Sequence, residues 1–258
     1  PESDALDAAN ARLEGVPADV VQVALISRGS KRDDLSAMDW WTTTLIGRVR
    51  ARGLSAFGLP SRLQGAGMAI RADVLRRIGW PTTGISEDFF ATLAFLDHGI
   101  RLAYTDAGIV WARGAETDSA ARSQRLRWES GKLLSLQKLP GIVEKAIKRR
   151  SASHLAIGAH VAVPPTTVHF TMLAVFGAVG LLVGRRGRTV AVASAAGLGA
   201  LSVYMMEGLR LMEDREMARR ALLAGPRFVV WKTRVQLDAV RRFRHLGWER
   251  TSREGMAE

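Results

Sequence analysis

Gln124-Arg125-Leu126-Arg127-Trp128, read together with Ser86-Glu87-Asp88, is the stretch on which the fold and chemistry of this chain turn. On a helix, Gln124, Arg127, Trp128 and Gly131 recur at i, i+3, i+4 and i+7 and so share one face. That face offers an amide, a guanidinium fork matched to phosphate oxygens, an indole suited to carry a sugar ring, and a gap without a side chain. An amphipathic helix with a core Trp and a solvated Arg has the same spacing, so the surrounding sequence must decide. Upstream, Ser86 is placed to cap a helix over residues 87–98, with Phe89, Leu93 and Leu96 as its buried stripe and Gly99 as its stop. Glu87 and Asp88 then stand in the first turn, where acids complement the helix dipole and need no function. A carboxylate at such a junction is equally suited to take a proton from a hydroxyl.

Outward from these two stretches the chain alternates between strand and helix signals. The β-branched run over residues 20–26 predicts a buried strand, and residues 101–111 predict another. Gly65-Ala66-Gly67 reads as a turn entering a third strand that ends at Ile70, followed by a short helix over 73–78 stopped by Gly79. A helix is expected over 5–13 and a long one, carrying Gln124 to Trp128, over about 120–136. Residues 31–39 read as a charged connection leading into Trp40-Trp41, and the Gly-punctuated residues 50–60 as a loop.

The net charge of +12 and pI near 11.1 call for an anionic partner, either lipid headgroups or a phosphorylated substrate. The sequence has no zinc-ligand spacing, aromatic RNA-binding signature or clear helix-turn-helix, so no nucleic-acid partner is expected. With no Cys, disulfides and thiolate metal sites are excluded. The mean hydropathy of +0.02 averages a polar front with a strongly apolar stretch. A basic cluster at Lys145, Lys148, Arg149 and Arg150 suits an anionic membrane surface. Residues 165–184 and 189–206 read as two membrane spans, with small residues in the second suited to close packing. His154, His160 and His169 fit no compact helical site and are taken as incidental. Arg185, Arg186 and Arg188 lie between the spans, but the flanks are more basic still and are placed on the cytoplasmic side; a re-entrant hairpin is the alternative. The basic tail, including 226–232 and 248–253, reads as an interfacial helix with Trp and Arg anchors.

The order Gly65-Ala66-Gly67, Glu87-Asp88, then Gln124 to Trp128 about 35 to 40 residues later, then apolar helices, resembles the membrane-bound family-2 glycosyltransferases of the cellulose- and hyaluronan-synthase type. The resemblance implies an α/β fold: an incomplete GT-A-like mixed sheet with flanking helices, then membrane helices and an interfacial tail. It divides the chain into an acceptor-side catalytic part (1–140), an interfacial segment (141–164), two transmembrane helices (165–206) and a basic cytoplasmic tail (207–258). It implies an inverting, nucleotide-sugar-dependent hexosyltransferase with a saccharide or lipid-linked acceptor, multi-pass in the inner membrane with its catalytic part cytoplasmic. Asp88 takes the place of the base. Glu87, Gln124, Arg125, Arg127, Trp128, Gly65 and Gly67 take the places of substrate-binding residues, with Trp128 under the acceptor and Gln124 and Arg127 at the pyrophosphate. Arg125 fits less well, since it points about 100° away from Gln124. The family's Asp-x-Asp is absent from this sequence, so the ligands of the expected Mg²⁺ or Mn²⁺ are not in this chain, and an N-terminal nucleotide-binding part is expected upstream. The rival reading is a non-catalytic protein that binds anionic lipid at a membrane surface.

Overall fold

The run Val20–Arg28 forms β1, and it is covered on both faces: Val20, Val21 and Ala24 have no exposed surface. A β-branched run without polar alternation folds as a central strand of this kind. β1 pairs antiparallel with β2 (Met68–Ile70) and parallel with β3 (Leu102–Arg113), giving a mixed sheet in the order β2-β1-β3. The register runs from Val20 opposite Leu102 to Arg28 opposite Arg113, with a bulge after Val23 that leaves Asp106, Ala107 and Gly108 out of the ladder. This computed structural model describes residues 3–29, 31–81, 84, 86–115 and 117–242.

The helix α1 (Ser3–Gly15) lies over the bulge; a side chain on Gly108 would run 2.6 Å from the Asp4 carbonyl oxygen. The expected charged connection before Trp40 is instead helical: α2 (Asp34–Thr44) begins behind Asp33, whose carboxylate accepts from the Ser36 amide at 2.8 Å. It runs on through a π-helical stretch, Leu45–Arg50, into α3 (Ala51–Ala56), where a loop was expected. Tertiary contacts override the local glycine signals here. Gly47 lies so close to β1 that a Cβ would be 2.4 Å from the Leu25 carbonyl oxygen, and the Tyr104 hydroxyl donates to the Gly47 carbonyl at 2.7 Å. Arg48 and Arg52, further along the same turn, pair with Asp106 in the bulge.

After α4 (Ala72–Ile78) comes α5 (Glu87–Asp97), and after β3 comes α6 (Asp118–Gln137), capped by Thr117, whose hydroxyl accepts from the Ala120 amide at 3.2 Å. Then follow α7 (Leu139–Lys148), α8 (Ala152–Ala162), α9 (Thr166–Leu182), a short 3-10 turn over Gly184–Gly187, α10 (Arg188–Arg210) and α11 (Arg215–Arg242). His154 and His160 are engaged: His154 is hydrogen-bonded to Ser151 and Asp97, and His160 to Arg50.

The expectation of two separate spans is not supported. Among the described residues one helical stretch, Gly184–Arg210, is long and apolar enough to cross a membrane. At 17 residues α9 falls short of the roughly 20 a span needs. It reaches that length only together with α8, from which it is bent by 68° across Pro164-Pro165. α9 and α10 pack as a hairpin along a seam of small residues. A Cβ on Gly180 would sit 2.8 Å from the Ala191 nitrogen, and one on Gly187 2.2 Å from the Gly180 oxygen. Large apolar side chains such as Phe176, Leu181, Leu182, Val192 and Val203 are exposed on this hairpin.

The far end of α10 is anchored on α2. The Trp41 indole donates to the Met205 carbonyl at 3.0 Å, and a Cβ on Gly208 would collide with Leu45 at 2.5 Å. The part of the expected tail that forms α11 packs on the fold through one face, with Met217, Ala221 and Phe228 buried in one cluster with Trp40 and Trp41, while Leu223, Val230 and Val240 are exposed. The expected anchor segment 248–253 lies outside the described residues.

Candidate functional site

Asp88 stands in the first turn of α5, but Ser86 does not cap that helix as expected. It has a left-handed backbone (φ 60°) and makes no side-chain cap bond. A non-glycine residue in that region stores strain of about 1–2 kcal/mol. The Asp88 carboxylate itself accepts from the next amide, that of Phe89, at 2.8 Å through Oδ1. Its other oxygen, Oδ2, lies 3.6 Å from Arg62 Nη2 and faces Gly65, where a Cβ would lie 4.0 Å away. Glu87, its neighbour in sequence, is exposed.

The Gly65-Ala66-Gly67 turn is held opposite Asp88 from inside the sheet. Gln22, fully buried on β1, donates through Nε2 to the Ala66 carbonyl at 2.9 Å and to that of Gly67 at 3.3 Å. Its Oε1 accepts from the Gln64 amide at 2.9 Å. Gly65 and Gly67 both have positive φ (78° and 67°), and a side chain on Gly67 would press on Val110 at 3.1 Å. The turn therefore depends on glycine at both positions. Thr92 fixes the approach of Arg62: its hydroxyl donates to the Asp88 carbonyl at 2.8 Å and accepts from the Leu63 amide at 3.0 Å. These contacts bring Asp88, Arg62 and the glycine turn into one cluster.

The second group of expected residues lies on α6. Arg125 is 4% exposed, pairs with the buried Asp39, and bonds Thr42 Oγ1 at 3.1 Å. Its guanidinium lies 5.0 Å from the Trp128 ring centre and 5.5 Å from that of Phe228. Gln124 and Arg127 are half-buried, and Trp128 is 40% exposed. The Trp128 ring thus has a cation near it and an exposed remainder, unlike the buried Trp40 and Trp41.

Residues to which the sequence reading gave no role, His160 among them as incidental, connect the two groups. Lys132, four residues after Trp128, lines a small cavity together with Arg62, Phe89, Ser135, His160 and Val161. Burial pulls its ammonium below the usual lysine range; Glu129 opposes the shift, and Arg50 and Arg62 reinforce it. The i, i+4 step from Trp128 was a legible signal for Lys132. Arg62 and His160 are distant in sequence and carried none. No group of three or more His, Asp or Glu that could hold a metal ion occurs among the described residues.

A comparison with curated proteins finds no match. The sequence pattern of the glycosyl transferase family group 2 matches residues 7–206, which takes in the sheet, the glycine turn, Asp88, α6 and the α9–α10 hairpin. The chain belongs to that family, and its function is glycosyl transfer.

Proposed function

We propose that this chain is the acceptor-side part of an inverting, membrane-associated enzyme that moves a sugar from a nucleotide-sugar donor to a saccharide or lipid-linked acceptor. The observation that carries the reading is Asp88 Oδ2, set against the open turn at Gly65 and 3.6 Å from Arg62. A turn without side chains leaves room for a sugar beside a carboxylate. In the proposed step the acceptor hydroxyl attacks the anomeric carbon and gives its proton to Asp88. The bond from that carbon to the diphosphate oxygen breaks, and the nucleoside diphosphate leaves with the electron pair. Gln124 and Arg127 are assigned to the leaving diphosphate and Trp128 to the acceptor ring. Arg125, committed to Asp39, acts as a positioning residue for α6. The exposed apolar hairpin supports membrane association.

The test is Asp88→Asn in the intact protein. Transfer is expected to fall about 10²–10⁴-fold, the usual range for a lost general base, with donor binding kept. A variant that retains more than about a tenth of the wild-type rate overturns the assignment.

A further inference from the structure

The cavity beside Asp88 is unusual in its charge. Arg62, Lys132 and His160 line it, and Arg50 Nη1 lies 3.0 Å from His160 Nδ1. Since an arginine only donates, Nδ1 accepts, and the ring proton is on Nε2; the imidazole is a neutral donor. Among the described residues the buried Nε of Arg62 has no hydrogen-bond partner. Asp88 lies beside Arg62, and Glu129 acts on Lys132. Three permanent or near-permanent cations and an imidazole N–H therefore converge with two carboxylates nearby, and Glu129 is shared with Lys232 at 3.8 Å. The cations outnumber these two carboxylates, and burying the excess positive charge costs free energy that an anion would offset. Arg and Lys donors favour a phosphate.

Size and position narrow the ligand. The enclosed part of the cavity is about 10 Å³, room for roughly one water, so it admits one oxygen of an oxyanion whose remainder stays outside. One wall, α8, carries His160 and leads through the 68° bend into α9, where Phe170, Val175 and Phe176 are exposed. An apolar chain attached to the anion would find that surface at once.

We infer that Arg62, Lys132 and His160, backed by Arg50, hold the phosphate that joins lipid to saccharide in a lipid-linked acceptor, whose sugar supplies the hydroxyl facing Asp88. This inference rests on the reading of Asp88 as the base and names the acceptor class for it. The phosphate is bound and not transformed; the three donors fix it so that the acceptor hydroxyl faces Asp88.

Isothermal titration of the detergent-solubilised intact protein with farnesyl monophosphate tests this directly, with farnesol, inorganic phosphate and UDP as the comparison ligands. Farnesyl monophosphate is expected to bind at least tenfold more tightly than farnesol or inorganic phosphate, and UDP should not displace it. Lys132→Met is expected to weaken binding about ten- to a hundredfold, the loss of one charge-assisted bond to phosphate, without lowering the melting midpoint. His160→Phe should weaken binding and His160→Gln, which keeps an N–H donor, should restore most of it. Equal binding of farnesol, unchanged affinity in Lys132→Met, or tight binding of inorganic phosphate alone overturns the inference. Displacement by UDP also overturns it, because the cavity then serves the donor. The readout is binding, so a failure here leaves the Asp88→Asn transfer result standing on its own.

Discussion

The Arg125 guanidinium and the Asp39 carboxylate form an ion pair in which both side chains are nearly shut off from solvent, at 5% and 6% exposure. Asp39 belongs to α2 and Arg125 to α6, so the pair joins the helix that anchors the hairpin to the helix that carries Trp128. Its second carboxylate oxygen accepts from the Ser27 hydroxyl at 2.9 Å, which extends the tie to β1. Arg125→Met should therefore lower stability by about 3–5 kcal/mol, because a buried carboxylate is left uncompensated. Adding Asp39→Asn should recover part of that loss. Chemical denaturation of the three variants decides; additive losses would mean that the pair is not coupled.

Trp128 and Arg127 separate structure from ligand handling. With 40% of its surface exposed, Trp128 should lose less on truncation to Ala than the roughly 3–5 kcal/mol of a core aromatic, while acceptor use falls strongly. Arg127→Lys keeps the charge and loses the planar fork, so nucleotide binding should weaken with the melting temperature unchanged. Melting curves and separate donor and acceptor titrations are the measurements. If both variants merely melt earlier, α6 is structural at these positions.

Lys232 on α11 supplies a pH test. Burial brings its ammonium down to about 8, Arg125 and Lys132 act the same way, and Glu129 at 3.8 Å opposes them. Below pH 8 the group is charged in both states, and burying that charge costs the fold at most about 3 kcal/mol. Between about pH 8 and the ordinary lysine value of 10.5 the unfolded chain holds more protons, so this group's contribution to stability rises with pH. Lys232→Met should raise the melting midpoint at pH 7 and flatten that rise. A lower midpoint with the slope unchanged would show that the Glu129 contact outweighs the burial.

The local pattern alone determined much of this protein. The β-branched run at Val20 predicted a covered strand, and Gly65 and Gly67 announced a turn. The order of the glycine turn, Asp88 and Gln124 to Trp128 was legible for the same reason: each is a short motif whose geometry is set within a few residues. What tertiary structure decided are the contacts made at long separation. Residues 51–56 are helical because Gly47 is pressed on β1 and Arg48 and Arg52 reach the bulge, which no local signal records. The Arg125 side chain turns to Asp39, 86 residues away, and α11 buries Met217, Ala221 and Phe228 with Trp40 and Trp41. Arg62, Lys132 and His160 meet only because a loop, α6 and α8 converge beside α5. A cluster of cations is invisible in sequence for a physical reason: the energy that makes it distinctive comes from mutual proximity and lost water, and both exist only in the folded chain.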